Sequence, residues 1–574
     1  TDFSISVVTK EFNTKPIPVE RGVLQGDCLS PLLFNLCINS LIQSINDEKL
    51  KCLGYVNNVT MNPKHWFQFA DDTAIISAHE QDNQLLCNAF SKWCTWADLN
   101  IRVDKCHTFG IKKQASKATQ YQPVIIISGK RVPPIENENS FNYLGKQFNF
   151  SMDCESIKSE LVCEFEEYLE RIDLFPINPF SKIRIIQEYV YSKIRWRLSI
   201  YDIAETWIKH NIDNIISKYI RKWLQIPVSG NITHLKLPKS DLGTDFSFAS
   251  DVYLQCKLSV RRILKSSKNS DIQHLYAVTS SKHIKSDELI EKASPNVMKK
   301  YELISKTNKF LKVQNTQEVW AYFTELKEQS VVVKHLVEAC HKKILELWQD
   351  IVTKLPRNIT CFARRALVLS LSNNSNLKRW NIRDSPSCDL CDKTQTQLHV
   401  FSYCEVSLQQ KRYTWRHDSI MNTLLHHLRR VASEETEIFA DCPDCGLKCT
   451  SNLFENLRPD MVVRHKRDFY VIELTVPYET NCKIARRRKQ DKYRDLRSQL
   501  LVPCEKFKVI TLEITTLGFV TKNIRQFRRL CRSLSLQDNR IIRKCMEVAL
   551  RATFYIFCRR NKINWTCPEL LKFY

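Results

Sequence analysis

Residues 65–76 have the sequence HWFQFADDTAII, in which two β-prone runs flank a pair of aspartates. Residues 66–69 and 73–76 predict the two strands of a hairpin, with Asp71 and Asp72 at its tip. A purely structural two-residue turn favours Asn-Gly or Asp-Gly, because its backbone needs positive φ. Two carboxylates repel each other unless cations bind them, and a pair of divalent cations serves phosphoryl transfer. The stretch therefore predicts a metal-binding site, with an ordinary acidic turn as the alternative.

The composition indicates a helix-rich protein of several domains that binds a polyanion. The length of 574 residues predicts about three or four domains. Apolar residues make up 43% of the chain, whereas Gly (10) and Pro (19) are few. The net charge of +24 favours nucleic acid over a membrane surface, because no run of about 20 apolar residues is present. The 23 scattered cysteines indicate a reducing compartment, with some of them bound to metal.

A second motif lies in residues 21–35, which read RGVLQGDCLSPLLFN. Two glycines flank Gln25, so the backbone can approach a ligand closely there. Ser30 as N-cap and Pro31 at the first helical position predict a helix that continues to about Ile45. A loop followed by a capped core helix is the alternative, but it leaves the spacing of Gly22 and Gly26 unexplained.

These two stretches, together with residues 100–106 (NIRVDKC) and 141–145 (FNYLG), resemble four motifs of reverse transcriptases in the family's order. The resemblance implies a right-hand palm, in which antiparallel strands are backed by helices. It also implies roles for individual residues: Asp71 as a metal ligand with Asp72 as its partner, Gln25 and Gly26 in contact with template or nucleotide, Lys105 as the proton donor to pyrophosphate, and Tyr143, Leu144 and Gly145 as the primer grip.

The chain departs from the family pattern at two points. Cys28 stands where the family usually has Pro. The family's first catalytic aspartate belongs before Arg21, where only Asp2 and Glu11 occur, both in unrelated contexts. The expectation is therefore an N-terminally truncated chain that lacks the fingers and half of the two-metal site, and that does not polymerise alone.

Residues 151 to about 385 have the periodicity of amphipathic helices. Apolar residues recur at helical spacing in 157–169, 183–198 and 208–223. The third helix is predicted to end before Pro227, because the residue before a proline disfavours the helical conformation. A further helix is predicted over 331–354. The reverse-transcriptase resemblance implies a helical thumb here, and a scaffolding bundle is the alternative.

A cysteine–histidine cluster follows, with spacing typical of structural zinc sites. Its predicted ligands are Cys388, Cys391, His399 and Cys404. A second group, Cys442, Cys445 and Cys449, lacks an evident fourth ligand and is either a further zinc site or a reduced loop. Arg412, Arg416 and His417 come next on a predicted helix, where they either contact phosphate or form a solvated basic face.

Another pair of carboxylates lies further along the chain. Asp460, in Arg-Pro-Asp, is followed after twelve intervening residues by Glu473, which is inside an apolar β run. A carboxylate in a buried strand needs a cation or a partner. Lys489 and Tyr493 share a helix face at spacing four and could assist attack on phosphate. The pattern resembles PD-(D/E)xK restriction-like nucleases in which the lysine has left the strand, since Thr475 occupies its position. An edge strand with Glu473 facing outward is the alternative.

The whole arrangement resembles site-specific non-LTR retrotransposon proteins, including those that insert into ribosomal RNA genes. The implied fold class is α+β multidomain, with four parts: a partial reverse-transcriptase palm (1–150), a helical thumb and connection (151–330), a helical linker with the zinc knuckle (331–425), and an α/β restriction-like nuclease with basic C-terminal helices (426–574). The implied mechanism is target-primed reverse transcription, in which a nicked DNA strand primes the copying of element RNA.

The resemblance also implies cofactors and partners. The cofactors are Mg²⁺ or Mn²⁺ at Asp71, Asp72, Asp460 and Glu473, and Zn²⁺ at the cysteine–histidine cluster. The implied partners are element RNA, target chromosomal DNA and deoxynucleoside triphosphates, with a second copy of the chain as a further candidate and no membrane; the implied location is the nucleus. Two C-terminal segments support a nucleic-acid partner: 483–497 has eight Lys or Arg and two Asp, and 521–562 has twelve and two acids. A truncated or decayed product that only binds nucleic acid is the alternative to an enzyme.

Overall fold

The computed structural model describes residues 4–19, 22–23, 26–56, 62–114, 117–137, 139–293, 300–431, 433–442 and 447–571. The chain forms two compact units. The first comprises Thr1–Glu160, Arg195–Ile203 and Tyr253–Thr307. The second comprises Leu161–Ile194, Ala204–Val252 and Asn308–Tyr574.

The strands form short hairpins in the first 150 residues and one four-stranded sheet later in the chain. They are β1 (Ser4–Ile5), β2 (Ile17–Pro18), β3 (Trp66–Phe69), β4 (Asp72–Ile75), β5 (Gly110–Gln114), β6 (Lys117–Tyr121), β7 (Ile126–Ile127), β8 (Lys130–Arg131), β9 (Phe141–Tyr143), β10 (Lys146–Phe148), β11 (Thr436–Ala440), β12 (Met461–His465), β13 (Asp468–Thr475) and β14 (Lys506–Glu513).

Helices make up most of the remaining described chain. They are α1 (Ser30–Ile45), α2 (Glu48–Lys51), α3 (Glu80–Trp96), α4 (Glu155–Leu174), α5 (Pro179–Ile185), α6 (Tyr191–Ile200), α7 (Glu205–Ile208), α8 (Asn214–Leu224), α9 (Ala249–Lys265), α10 (Ser270–Thr279), α11 (Ile284–Ala293), α12 (Lys300–Glu325), α13 (Val331–Ala339), α14 (Lys342–Val352), α15 (Arg357–Leu367), α16 (Asn374–Arg379), α17 (Glu405–Gln409), α18 (Arg412–Leu428), α19 (Cys482–Lys492), α20 (Arg525–Ser533) and α21 (Asp538–Cys558). Single π-helical turns join α5 to α6 (Ile186–Val190) and α7 to α8 (Lys209–Asp213).

In the first unit, α1 packs against α3 beside the hairpin formed by β3 and β4. Leu41 of α1 and Trp93 of α3 belong to the same buried cluster. Trp66 of β3 meets Phe90 edge-on, with 5.3 Å between the ring centroids. The ring of His65 bonds to the carbonyl oxygen of Ile45 at 2.9 Å, which ties the start of the hairpin to the end of α1.

The predicted helix after the glycine motif is confirmed, but its predicted cap is wrong. Helix α1 begins at Ser30, and Leu29 occupies the N-cap position without a side-chain bond. The turn before it is held by Asp27, whose Oδ1 accepts a hydrogen bond from the Leu29 amide at 2.8 Å. Ser30 was predicted as the cap because Pro31 follows it, yet a proline is tolerated anywhere in the first turn of a helix.

The three amphipathic helices predicted between residues 157 and 223 are confirmed as α4, α5 with α6, and α7 with α8. The third ends at Leu224, where Gln225 has a φ of 55° and donates its amide to the carbonyl of Arg221. The prediction of a single helix over 331–354 is wrong. This segment forms two helices, α13 and α14, because the buried Cys340 between them adopts an extended conformation.

The second unit contains a sheet in the order β11-β12-β13-β14. The first three strands are antiparallel, whereas β13 and β14 are parallel and the connection between them includes α19. Because side chains alternate across a strand, residues 470, 472 and 474 face one layer of the core. Residues 469 and 471 face the other, with Tyr493. Glu473 falls on this second face.

Strand β13 is therefore internal and Glu473 is buried, so the alternative of an edge strand with an outward glutamate is wrong. Among the described residues, no helix combines the length and the apolar character that crossing a bilayer requires.

Candidate functional site

The predicted hairpin around the two aspartates is present, and its tip is slightly displaced. Phe69 pairs with Asp72, so Ala70 and Asp71 form the turn and Asp72 is the first residue of β4. Ala70 takes the left-handed conformation that such a turn needs, with a φ of 51°. Gln68 stabilises the tip by donating to the Ala70 carbonyl at 2.5 Å. Both aspartates are exposed.

A second hairpin, formed by β9 and β10 around the predicted primer-grip residues, lies beside the first. In the turn between β9 and β10, Leu144 and Gly145 both have positive φ, and a Cβ on Gly145 would lie 2.9 Å from the indole nitrogen of Trp196. The Tyr143 hydroxyl is 3.4 Å from the carbonyl oxygen of Phe67, and burial together with the charge of Asp72 raises the pKa of Tyr143. The structure therefore brings Tyr143 close to the paired aspartates.

The structure does not bring the other residues named by the reverse-transcriptase resemblance, as far as it describes them, into contact with the two aspartates. Gln25 lies outside the described residues, and Gly26 has a φ of 98° in an exposed turn. Lys105 is exposed on a short 3-10 turn, Val103–Lys105. Within the described chain, no hydrogen bond or ion pair joins Lys105 to Asp71.

The four predicted zinc ligands converge. The ligand atoms of Cys388, Cys391, His399 and Cys404 all lie within 4.8 Å of one another. A tetrahedral zinc with Zn–S bonds of about 2.3 Å requires sulfur atoms about 3.8 Å apart. The Sγ atoms of Cys391 and Cys404 are 3.8 Å apart, and Cys391 Sγ is 3.3 Å from His399 Nε2. This group of donors therefore fits zinc.

The local fold explains why these side chains meet. In the first half of the group, Cys388 and Lys393 form a tight turn, in which the Cys388 amide donates to the Lys393 carbonyl at 2.8 Å. In the second half, the Tyr413 hydroxyl accepts from the Cys404 amide at 3.1 Å and lies 3.2 Å from the His399 carbonyl oxygen. Tyr413 is in the first turn of α18, so this helix supports the metal-binding group.

The second cysteine group is described only in part. Cys445 lies outside the described residues, and the only cluster of metal-ligand type among the described residues is the Cys388 group. Cys449 Sγ instead lies 3.9 Å from Asp441 Oδ1.

The prediction for the basic residues of α18 is wrong for two of three. Arg412 and Arg416 are buried, so they form neither a phosphate contact nor a solvated face. Arg412 donates to the carbonyl oxygens of Arg559 and Lys562, and Arg416 donates to Thr553. Both arginines therefore connect α18 to the C-terminal part of the chain.

The structure brings Asp460, Glu473 and Lys489 together at the carboxyl end of β13. The Asp460 amide donates to Glu473 Oε1, and the Leu474 amide donates to Asp460 Oδ2, each at 2.9 Å. Lys489 Nζ lies 2.6 Å from Glu473 Oε2 and 3.5 Å from Asp460 Oδ2. Tyr493 donates its hydroxyl to the Arg458 carbonyl at 3.2 Å, which fixes the loop before Asp460.

Burial and charge shift the pKa of each group in this cluster. Burial, and then the charge of Asp460, raises the pKa of Glu473 above its ordinary value. For Asp460, burial raises the pKa, but the nearby His417 and Lys489 outweigh it and the net shift is downward. For Lys489, burial lowers the pKa and the two carboxylates more than reverse that effect. Opposite pKa shifts on two neighbouring buried carboxylates occur at functional sites and also in structural ion-pair networks.

The sequence did not point to His417 as a neighbour of this cluster. Its Nε2 lies 3.4 Å from Asp460 Oδ2, and its Nδ1 lies 3.0 Å from Asp418 Oδ1. Burial lowers the pKa of His417, but hydrogen bonds to Asp418 and Asp460 raise it to about 9 overall. The ring is therefore a second cation beside Asp460, supplied by the same helix that supports the cysteine–histidine group.

Arg486 has a structural contact that the sequence also did not reveal. Its guanidinium bonds to both oxygens of the buried Glu513, at 3.2 and 3.0 Å. This pair fixes α19 against the end of β14 and so positions Lys489, which follows one turn later. Arg487 and Arg488 are exposed.

The N-terminal region of the chain is similar to a known protein family. Residues 1–148 match the family described as "Reverse transcriptase (RNA-dependent DNA polymerase)". The matched region contains both hairpins, so the exposed aspartates lie within the part of the chain that is similar to this family.

The chain is also similar to curated retrotransposon proteins. It is 24% identical over 462 residues to the Retrovirus-related Pol polyprotein from type-2 retrotransposable element R2DM of Drosophila melanogaster, a match that covers 79% of this chain and 40% of that protein. It is 22% identical over 252 residues to the Retrovirus-related Pol polyprotein from type-1 retrotransposable element R2 of Popillia japonica, covering 42% and 39%. The corresponding Nasonia vitripennis protein is 22% identical over 227 residues, covering 39% and 21%.

The two comparisons agree with each other: the family model matches residues 1–148, and the matched relatives are retrotransposon proteins. The chain spans at most about two-fifths of the length of these relatives.

Proposed function

We propose that this chain is the part of a non-LTR retrotransposon protein that combines a reverse-transcriptase palm with a DNA-nicking endonuclease. The nuclease cuts one strand of target DNA, and the freed 3′-hydroxyl primes the copying of element RNA. The observation that carries the nuclease part is the buried cluster of Asp460, Glu473 and Lys489 at the end of an internal strand. Similarity to one retrotransposon Pol polyprotein along 79% of the chain supports the retrotransposon part of the proposal.

The carboxylates have the donor atoms that a magnesium ion prefers. Asp460 Oδ1 has no hydrogen-bond partner among the described residues, and each Glu473 oxygen accepts one hydrogen bond, which leaves a lone pair. Asp460 and Glu473 would hold the ion, which would polarise the phosphate and lower the pKa of bound water.

The remaining side chains have distinct tasks in this proposal. Lys489 supplies a positive charge beside the carboxylates, where it stabilises charge that develops on the phosphate. His417 holds Asp460 Oδ2 in place. Tyr493 fixes the carbonyl of Arg458, in the loop before Asp460. Arg487 and Arg488 lie exposed on the same helix and contribute to DNA affinity through phosphate contacts.

The other predicted centres complete the proposal. Cys388, Cys391, His399 and Cys404 bind a structural zinc, which stabilises the segment between α16 and α18. Asp71 and Asp72 are metal ligands of the polymerase, and Tyr143 belongs to its primer grip. Element RNA, chromosomal DNA and deoxynucleoside triphosphates are the partners, and the nucleus is the place of action.

Single-turnover nicking at saturating enzyme tests the nuclease. With magnesium, Asp460→Asn and Glu473→Gln should abolish cleavage of target DNA, while binding persists because affinity rests mainly on Lys and Arg contacts to phosphate. Lys489→Met should slow cleavage by about a hundredfold to a thousandfold, the scale for losing one electrostatic stabiliser.

Arg488→Gln is the matched control, because it removes one positive charge from the same helix at an exposed position. It should weaken binding and leave the rate of the bound complex unchanged. Wild-type cleavage by Glu473→Gln would refute the nuclease assignment. It would favour the competing proposal, a product that binds nucleic acid without cutting it.

A further inference from the structure

A basic cleft lies in the second unit, between the start of α14 and one face of α20. Its volume is about 640 Å³. Apart from Ile344 and Ile524, which are buried at its floor, every residue that lines it is basic. These residues are His341, Lys342, Lys343, Arg525, Arg529 and Arg532, with Arg528 in the wall.

The sequence of α20 explains why one face of the helix is so strongly charged. Arg525, Arg529 and Arg532 follow one another at spacings of four and three, so they share a helix face. Phe527 and Leu530 lie on the opposite face and are buried in the core. The helix therefore cannot rotate its arginines away from the cleft without exposing core residues.

Most of this charge is not neutralised. Arg528 pairs with Asp538 at 3.4 Å. In the part of the chain that the structure describes, the side chains of Arg525, Arg529 and Arg532 have no acidic partner, and all three are exposed. Burial, and then the charges of Arg525, Lys522 and Arg528, lower the pKa of His341, as expected where positive charge is concentrated.

The cleft is connected to the candidate nuclease through α19. Arg486 lies one turn before Lys489 and donates to Thr521 Oγ1 at 3.2 Å, and α20 begins four residues after Thr521. This contact, together with the pair of Arg486 and Glu513, ties the segment that leads into α20 to the helix that carries Lys489. The arginine face of α20 is about 10 Å long, enough for roughly three successive phosphates of one strand.

We propose that this cleft binds the phosphate backbone of the target DNA duplex beside the nicking site. The proposal rests on the proposed nuclease for the identity of its ligand. The cleft holds the duplex through several arginine–phosphate contacts and contributes no sequence specificity, because phosphate contacts position DNA without reading its bases.

The test is the salt dependence of binding to a DNA duplex of about 30 base pairs. The triple variant Arg525→Gln, Arg529→Gln, Arg532→Gln should bind less tightly, and its slope of log affinity against log salt should be shallower by about two to three. The control triple variant Lys218→Gln, Lys327→Gln, Lys354→Gln loses the same charge at exposed positions outside the cleft. It should change the slope by less than about one.

An unchanged slope in the cleft variant, or an equal change in the control, would overturn the proposal. The proposal would also be overturned if the cleft variant lost affinity only for single-stranded RNA of the same length and not for the DNA duplex. Circular dichroism of both variants checks that they are folded. Nicking by the wild type is measured separately. If the wild type cuts DNA and the cleft variant binds DNA as the wild type does, the cleft proposal alone is refuted. If the cleft variant loses affinity but the wild type does not cut DNA, the nuclease proposal alone is refuted.

Discussion

Replacing Lys489 with methionine should destabilise the second unit, because Lys489 neutralises a buried carboxylate. Its Nζ is 2.6 Å from Glu473 Oε2 and 3.5 Å from Asp460 Oδ2. Without it, Glu473 stays buried beside another carboxylate, where it either carries an uncompensated charge or takes up a proton, since burial and Asp460 already raise its pKa. Removing one partner of a buried ion pair costs about 3–5 kcal/mol. Because Lys489 keeps 24% of its side-chain surface exposed, we expect the lower end of that range, about 3 kcal/mol.

A double-mutant cycle identifies the origin of that loss. Glu473→Gln keeps the shape of the side chain and removes its charge, so in the Lys489→Met background it should restore about 2 kcal/mol. The free energy of unfolding would be measured by urea titration with zinc present and no added magnesium, so that no cation bound at the carboxylates contributes. If the two substitutions are additive within about 0.5 kcal/mol, Lys489 does not stabilise Glu473 and the electrostatic argument fails.

Three other predictions concern separate parts of the chain. Cys391→Ser should lower the bound zinc by one ion per chain, as measured by atomic absorption, whereas the exposed Cys567→Ser should leave it unchanged; equal zinc in both would show that the ligands are wrong. Gly145→Ala should destabilise the first unit by about 1 kcal/mol or more, because its φ is 73° and the added Cβ would meet Trp196; an unchanged melting temperature would contradict this. Burial lowers the pKa of His234 to about 3, so the ring stays neutral in the folded protein, whereas in the unfolded chain it binds a proton below about pH 6.5. Between pH 6.5 and 5, the free energy of unfolding of the wild type, measured by urea titration, should therefore fall faster than that of His234→Asn, by up to about 1.4 kcal/mol per pH unit. Parallel pH dependences of the two proteins would refute this prediction.

Short-range patterns predicted much of the secondary structure. The β-prone runs around Asp71 and Asp72 indicated a hairpin because their alternation is local, and the cysteine–histidine spacing predicted the cluster because a turn of fixed geometry brings its first two cysteines together. The apolar run around Glu473 indicated a buried strand, since seven apolar or β-branched neighbours leave no polar face for it.

Contacts between distant parts of the chain could not be predicted in the same way. His417 and Asp460 are 43 positions apart, and nothing in either segment indicates that α18 crosses the end of β13. Arg412 and Arg416 have the spacing of a solvated basic face, yet their partners lie about 140 residues further along the chain. The break at Cys340 was missed because the apolar periodicity continues through it, although the backbone does not.

Helix α18 has a consequence for how this protein could be recombined. Near its start, Tyr413 holds the backbone of Cys404 and His399, and four residues later His417 reaches Asp460. A chimera that joined a foreign sheet to this knuckle, or this sheet to a foreign knuckle, would separate Asp460 from its histidine. Residues 388–571 would therefore have to be transferred together. A domain boundary placed directly after α18 would separate this helix from the sheet that it contacts.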